Sequence, residues 1–172
     1  MSFRVRLLPL ALLVLAQVAT AQAPAPQSTP RPAPAKPSGA QSPIGHWKFE
    51  TGMVNLNCKL SGEMQVTQAP TTGAYSCKFV AVQSCTGNPP LEFRVQQSCI
   101  ATQVGKQVTI TSKIERILSV KPEAMFPTVK SGYAADNFEV TMNAAGSEMK
   151  GMFHSLNQAV VRFWRPNSDL VS

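Results

Sequence analysis

Residues 75–81 read YSCKFVA, with apolar side chains at every second position: Tyr75, Cys77, Phe79 and Ala81. Successive side chains of a β-strand point to opposite faces, so an apolar period of two indicates a strand with one buried face. An amphipathic helix would repeat its apolar residues every three or four positions instead. This stretch therefore predicts a half-buried β-strand.

The same period of two recurs along the chain from Trp47 onward. The other alternating groups are Leu56, Cys58 and Leu60; Phe93, Val95 and Cys99; Val108, Ile110 and Ile114; Phe138, Val140 and Met142; Met149, Gly151 and Phe153; and Val161 and Phe163. Together these groups predict about eight strands.

Turn-forming residues lie between the predicted strands, at 69–73, 87–90, 104–106, 143–146 and 155–158. Short connections between consecutive strands predict an antiparallel meander. Closing a meander into a barrel removes exposed strand edges, which invite aggregation. We therefore expect an all-β fold, a single antiparallel meander closed as a small β-barrel, with a β-sandwich as the alternative.

One segment departs from the strand pattern. Residues 121–132 read KPEAMFPTVKSG, in which Pro122 and Glu123 can open a single helical turn before Pro127 stops it. We expect a long connection with a short helix at one mouth of the barrel. Its side chains Met125 and Phe126, with Tyr133, are then candidates for lining a pocket, or for a plug that seals the core.

The N-terminus has the features of an export signal. Arg4 and Arg6 precede an apolar run at 7–18, and Ala19-Thr20-Ala21 supplies a small-x-small cleavage pattern. The apolar run is shorter than the roughly 20 residues that cross a bilayer, so no membrane anchor is expected in the mature protein. The predicted location is the periplasm or the extracellular space.

The remaining chain divides into three predicted parts. Residues 22–43 carry seven prolines and no large apolar side chain, which predicts a disordered Pro/Ala-rich linker. Residues 44–166 form the β-barrel domain, and residues 167–172 a C-terminal tail.

The chain has four cysteines: Cys58, Cys77, Cys85 and Cys99. Their spacing lacks the short pairs of a metal site. In an exported protein they therefore predict two disulfides. Opposed residues of a hairpin are centred on its turn. Cys58–Cys85 centres at 71.5 and Cys77–Cys99 at 88, both inside predicted turns. Cys77 and Cys85 would lie about 26 Å apart on one strand, and the third pairing would centre in strands. We therefore predict Cys58–Cys85 and Cys77–Cys99.

The charge balance argues against nucleic-acid binding. The formal net charge is +7, and removing Arg4 and Arg6 with the signal leaves 14 basic and 9 acidic groups, or +5. The basic residues are scattered singly rather than clustered with aromatic residues, so no nucleic-acid partner is expected.

The sequence offers little catalytic chemistry. His46 and His154 stand in no metal-ligand spacing. His154, Ser155 and Asp136 supply the residue types of a catalytic triad, but no G-x-S-x-G motif surrounds the serine. We therefore predict no catalytic residues, no metal and no cofactor. The protein is expected not to be an enzyme.

Two short motifs carry a resemblance to known families. Gly45-His46-Trp47 opens the predicted first strand, and Arg162-Phe163-Trp164-Arg165 closes the last. In this the chain resembles the lipocalin and wider calycin group, which implies a barrel whose base is closed by a cation over Trp47. Either Arg162 or Arg165 can supply that cation.

The chain also resembles small periplasmic inhibitors of secreted bacterial metalloproteases, which implies an inhibitory N-terminal arm. The run from Trp47 to Arg165 more broadly looks like small exported proteins of Gram-negative bacteria.

These observations predict a non-catalytic exported binding module for a small apolar ligand or a cell-envelope partner, with the protease inhibitor as the alternative. The oligomeric state stays open. A cavity would be lined by inward residues; a barrel packed solid would act through its surface. The candidate binding residues are Trp47, Phe79, Phe93, Ile110, Met125, Phe126, Phe138, Met142 and Arg162.

Overall fold

The computed structural model describes residues 41–55, 57–68 and 73–166. The predicted signal peptide, most of the predicted linker and the predicted tail lie outside these residues. The strands are β1 (Gly45–Asn55), β2 (Cys58–Gln68), β3 (Ala74–Cys85), β4 (Leu91–Val104), β5 (Gln107–Lys121), β6 (Asn137–Met142), β7 (Glu148–His154) and β8 (Gln158–Trp164).

The eight strands form a closed antiparallel barrel in chain order. Each strand pairs with the next, and β8 pairs with β1 from Lys48↔Trp164 to Thr51↔Val161. The predicted meander and barrel are therefore confirmed, rather than the sandwich. The two-residue turn between β4 and β5 uses Gly105 at φ 60°, a left-handed conformation that glycine adopts without steric cost.

Aromatic rings fill the middle of the barrel. Phe49, Phe138 and Phe163 lie with their ring centroids 5.1 to 5.4 Å apart, and Phe79 packs 5.7 Å from Phe49. Gly62 on β2 makes this possible, because a Cβ at that position would lie 2.6 Å from Cζ of Phe49. The barrel interior at this level is a packed core.

One end of the barrel is closed by the two termini of the domain. The Arg165 guanidinium lies 4.2 Å from the ring centroid of Trp47, and it donates hydrogen bonds to the carbonyls of Ile44 and Ser42 at 3.0 and 3.1 Å. The indole nitrogen of Trp47 donates to the carbonyl of Pro43 at 2.8 Å. Residues 42–44, where the predicted linker meets the predicted barrel domain, are thus held against the barrel.

The other end is covered by the connection between β5 and β6, residues 122–136, which we name the lid segment. It contains a 3₁₀ turn (Glu123–Met125) and helix α1 (Phe126–Gly132). Both pack along the part of β5 that extends beyond its pairing with β6, which covers only residues 107–110. Buried Val129 joins Phe93 in a second apolar cluster beneath the lid segment.

The lid segment corrects one prediction. Pro127 does not stop a helical turn; it lies in the first turn of α1. Backbone N–H groups of a first turn have no partner within the helix, so the nitrogen of proline loses nothing there, and its fixed φ favours the helix.

Both predicted disulfides are present, Cys58–Cys85 and Cys77–Cys99. The members of each pair are directly opposed, across β2–β3 and β3–β4 respectively. Each closes a loop of 27 or 22 residues, which corresponds to about 3 kcal/mol of stabilisation. Disulfides persist in oxidising compartments, which fits an exported protein. No helix in the described part of the chain has the length and apolar character of a membrane span.

Candidate functional site

A cleft of about 260 Å³ opens between the lid segment and the ends of the barrel strands; we name it the mouth cleft. It lies at the end opposite Trp47 and Arg165. Its walls are mainly apolar, and the side chains that form them are Val54, Leu91, Phe93, Met125, Val129 and Phe153. Pockets for small molecules combine such apolar walls with a few polar groups.

The barrel strands and the lid segment each supply one side of the cleft. Phe93 projects inward from β4 and packs edge-on against the ring of Tyr133, with centroids 5.3 Å apart. Met125 comes from the 3₁₀ turn and Val129 from α1, while Phe153 comes from β7. The shape of the cleft thus depends on how the lid segment sits on β4 and β5.

Three polar side chains form a buried cluster beside the cleft: Gln97, Tyr133 and Asp136. Gln97 is 0% exposed and Asp136 is 1% exposed. The Tyr133 hydroxyl donates to Oδ2 of Asp136, and Nε2 of Gln97 donates to the same oxygen at 2.5 Å. The backbone N–H of Asp136 in turn donates to Oε1 of Gln97 at 3.0 Å. Tyr133 and Asp136 also line the cleft.

Burial dominates the electrostatics of this cluster. It raises the pKa of Asp136 from 3.8 to about 6, and the hydrogen bonds from Tyr133 and Gln97 offset part of that rise. Burial, followed by the charge of Asp136, raises the pKa of Tyr133 above its ordinary value. At neutral pH the cluster therefore combines a carboxylate with a neutral hydroxyl donor.

The structure separates the predicted binding residues into distinct places. Phe93 and Met125 line the mouth cleft, as does Tyr133. Phe126 is 39% exposed on the outer side of the lid segment and does not contribute to the cleft lining. The remaining inward residues belong to the packed barrel core, and these are Phe79, Ile110, Phe138 and Met142.

The predicted base of the barrel involves Arg165 rather than Arg162. Arg165 covers the buried ring of Trp47, whereas Arg162 lies 5.4 Å from the ring of Trp164 on the outer surface. Arg162 also donates to Glu148 at 2.5 Å. Trp47 and Arg162 are thus both remote from the mouth cleft.

Two of the three residues of a possible triad, Ser155 and Asp136, are hydrogen-bonded to other groups. The Ser155 hydroxyl donates to the carbonyl of Ala134 at 3.2 Å, and Asp136 accepts from Tyr133 and Gln97. Nε2 of His154 lies 4.0 Å from the Glu139 carboxylate. Among the described residues, no group of three histidine, cysteine or acidic side chains is arranged to hold a metal ion.

Sequence reasoning missed the polar cluster as a unit. Gln97 shares the inward phase of Phe93, Val95 and Cys99, and a polar residue at an apolar position was the available signal. Its partner Asp136 is 39 positions away, beyond the reach of any local pattern.

No protein-family model matches the sequence, and no curated protein matches it.

Proposed function

We propose that this protein is an exported, non-catalytic binding module that holds a small, largely apolar molecule in the mouth cleft. The observation that carries the proposal is the apolar cleft between the lid segment and the strand ends, with the Tyr133–Asp136 pair on its wall. The resemblance to the lipocalin group and the two disulfides support an exported carrier, placed in the periplasm or outside the cell.

The ligand is proposed to lie at the mouth rather than at the centre of the barrel. Phe49, Phe138 and Phe163 pack against one another at the centre, with ring centroids 5.1 to 5.4 Å apart. The mouth cleft has a volume of about 260 Å³. This is slightly less than roughly 300 Å³, the lower end of the range of pocket volumes for drug-sized ligands. A ligand of about nine non-hydrogen atoms is the expected size.

Gly132 provides a way to block the cleft with little damage to the fold. It lies at the end of α1 on the cleft lining, and a Cβ added there meets no atom within 4 Å. Gly132→Trp places a large side chain beside the cleft and is expected to obstruct it, while Gly132→Ala leaves it open. The two variants form a matched pair.

The test is a titration with 1-octanol followed by methyl NMR. Saturable shifts are expected at Met125 and Val129, with little change at Val160, which is exposed on β8. Gly132→Trp should abolish these shifts, and Gly132→Ala should retain them. Shifts that survive in Gly132→Trp, or that are as large at Val160 as at the cleft, would reject the proposal.

A second candidate function rests on the anchored base of the N-terminal arm. Arg165, Trp47 and Gln103 hold the backbone carbonyls of residues 41–44 through four hydrogen bonds of 2.8 to 3.1 Å. A fixed base would restrict the directions in which the preceding arm can extend. This restriction would favour binding of the arm to a protease. We therefore propose protease inhibition by the arm as the alternative.

Deleting residues 22–40 tests this alternative, because the deletion spares the anchored residues. The full chain should inhibit at least one of a panel of secreted bacterial metalloproteases, and the deletion should not, with the same unfolding midpoint for both. Equal inhibition by the two forms, or inhibition by neither, would reject the arm as an inhibitor.

A further inference from the structure

We propose that the mouth cleft selects ligands with a positively charged group, and that the Asp136 carboxylate is the residue that pairs with this group. The ligand class is then an amphiphilic amine, with an apolar body against the cleft walls and an ammonium on Asp136. This inference rests on the proposed function, since it specifies what the same cleft binds.

The first argument is the isolation of the Asp136 charge. Asp136 is the one charged side chain among the described residues that line the mouth cleft. Its side-chain partners, Tyr133 and Gln97, are neutral donors. A buried carboxylate is costly unless an opposite charge lies beside it. The cleft thus lacks the counter-charge that a cationic ligand would bring.

The second argument concerns the free acceptor sites of the carboxylate. Within the described part of the chain, both side-chain hydrogen bonds that Asp136 accepts are made by Oδ2. Oδ1 therefore retains its lone pairs for a further donor, and Asp136 is one of the residues that line the cleft. An N⁺–H donor forms the stronger type of hydrogen bond with a carboxylate, because the charges assist it.

The third argument is the shielding of the site. Asp136 is 1% exposed, and the apolar walls around it keep the local dielectric low. Charge pairs are stronger in such surroundings than in water. Burial places the pKa of Asp136 at about 6, so the carboxyl group is ionised at pH 7.5. A ligand carboxylate would be repelled there, and a neutral hydroxyl would gain only an ordinary hydrogen bond.

The size of the cleft fixes the probes. At about 30 Å³ for each water-sized group, the 260 Å³ of the cleft holds a chain of about eight or nine non-hydrogen atoms. Octylamine, 1-octanol and octanoate share one chain length and differ in the charge of the head group. Binding of each is measured by methyl NMR titration at pH 7.5, read at Met125 and Val129.

In the unaltered protein we expect octylamine to bind at least tenfold more tightly than 1-octanol, and octanoate to bind more weakly than both. Asp136→Asn should reduce the preference for octylamine over 1-octanol to less than threefold. Glu139→Gln, which removes an exposed carboxylate from the outer face of β6, should keep the tenfold preference.

The outcomes separate this inference from the proposed function. Saturable binding of 1-octanol with no preference for octylamine would overturn the role of Asp136 and leave the cleft as a binding site. Absence of binding by all three probes would overturn both. A tenfold preference that survives in Asp136→Asn would also overturn the inference. If Asp136→Asn does not fold, the probe series on the unaltered protein still decides the charge preference.

Discussion

Gln97 and Asp136 exchange two hydrogen bonds, one from each residue, across 39 positions of the chain. Nε2 of Gln97 donates to the Asp136 carboxyl at 2.5 Å, and the Asp136 N–H donates to Oε1 of Gln97 at 3.0 Å. This reciprocal pair joins the middle of β4 to the end of the lid segment. The position of the lid segment, and with it the mouth cleft, therefore depends on these two buried side chains.

Gln97→Leu should destabilise the protein by about 2–4 kcal/mol. The substitution leaves the buried Asp136 N–H without its partner, which costs about 1–3 kcal/mol. It also removes one of the two hydrogen bonds to Oδ2 of Asp136, while the one from Tyr133 remains. Urea unfolding with the disulfides intact gives the measurement. Gln65→Leu, at an exposed position on β2, is the control and should change stability by less than about 0.5 kcal/mol. Equal losses in the two variants would contradict the role of Gln97.

The buried carboxyl predicts a pH dependence of stability. Because folding raises the pKa of Asp136 from 3.8 to about 6, the folded state holds the proton more tightly than the unfolded state. This stabilisation is fully present below about pH 3.8 and is lost as the pH rises through about 6. The shift in pKa corresponds to about 3 kcal/mol.

Asp136→Asn provides the comparison, because it lacks this titration and keeps the other ionisable groups. Relative to the variant, the unaltered protein should lose about 3 kcal/mol of unfolding free energy between pH 3 and pH 7.5. Urea unfolding at several pH values gives the two curves. A difference in unfolding free energy that stays constant with pH would contradict the raised pKa of Asp136 in the folded protein.

Arg165→Ala should destabilise the closed end of the barrel by about 2–3 kcal/mol. It removes the cation over Trp47 and the hydrogen bonds to Ser42, Ile44 and Gly146. Arg162→Ala, which removes an exposed guanidinium from β8, should cost less than about 1 kcal/mol. Thermal unfolding of both variants provides the test. A larger loss of stability in Arg162→Ala than in Arg165→Ala would contradict the assignment of Arg165 as the cation that closes the barrel.

The changes in unfolding free energy caused by Gly62→Ala and Gly132→Ala should differ in sign or in size. At Gly62 the new Cβ would lie 2.6 Å from Cζ of Phe49 and would also clash with the carbonyl oxygen of Val80. Overpacking of this kind costs about 1–3 kcal/mol. At Gly132 the Cβ meets nothing within 4 Å, and alanine favours the helix by up to about 1 kcal/mol. Similar destabilisation by both changes would contradict the close packing at Gly62.

The barrel and both disulfides could be predicted because each depends on local regularities. The period of two marks the strands, and Cys58–Cys85 and Cys77–Cys99 follow from the position of the turns between them. Alternation also indicated that Phe79 and Phe138 point inward. It did not indicate whether the interior is hollow, because packed and hollow barrels share the same pattern.

The cleft could be predicted only in part. Met125 and Tyr133 were identified from their place in a long connection, and both line the mouth cleft. Register shifts between β4 and β5, on both sides of residues 95 and 96, interrupt the alternation of β5 in a way that no turn signal reports. The choice between Arg162 and Arg165 also failed to follow from phase, since Arg165 lies just beyond β8.

The most direct test of the central claim is native mass spectrometry of the protein purified from its natural source without detergent. The predicted result is a discrete additional mass of a small molecule that is lost on denaturation, present with Gly132→Ala and absent with Gly132→Trp. Denaturation should leave a polypeptide four protons lighter than the reduced chain, as two disulfides require. An additional mass retained by Gly132→Trp, or a bare polypeptide in all three proteins, would contradict a small-molecule carrier that uses the mouth cleft.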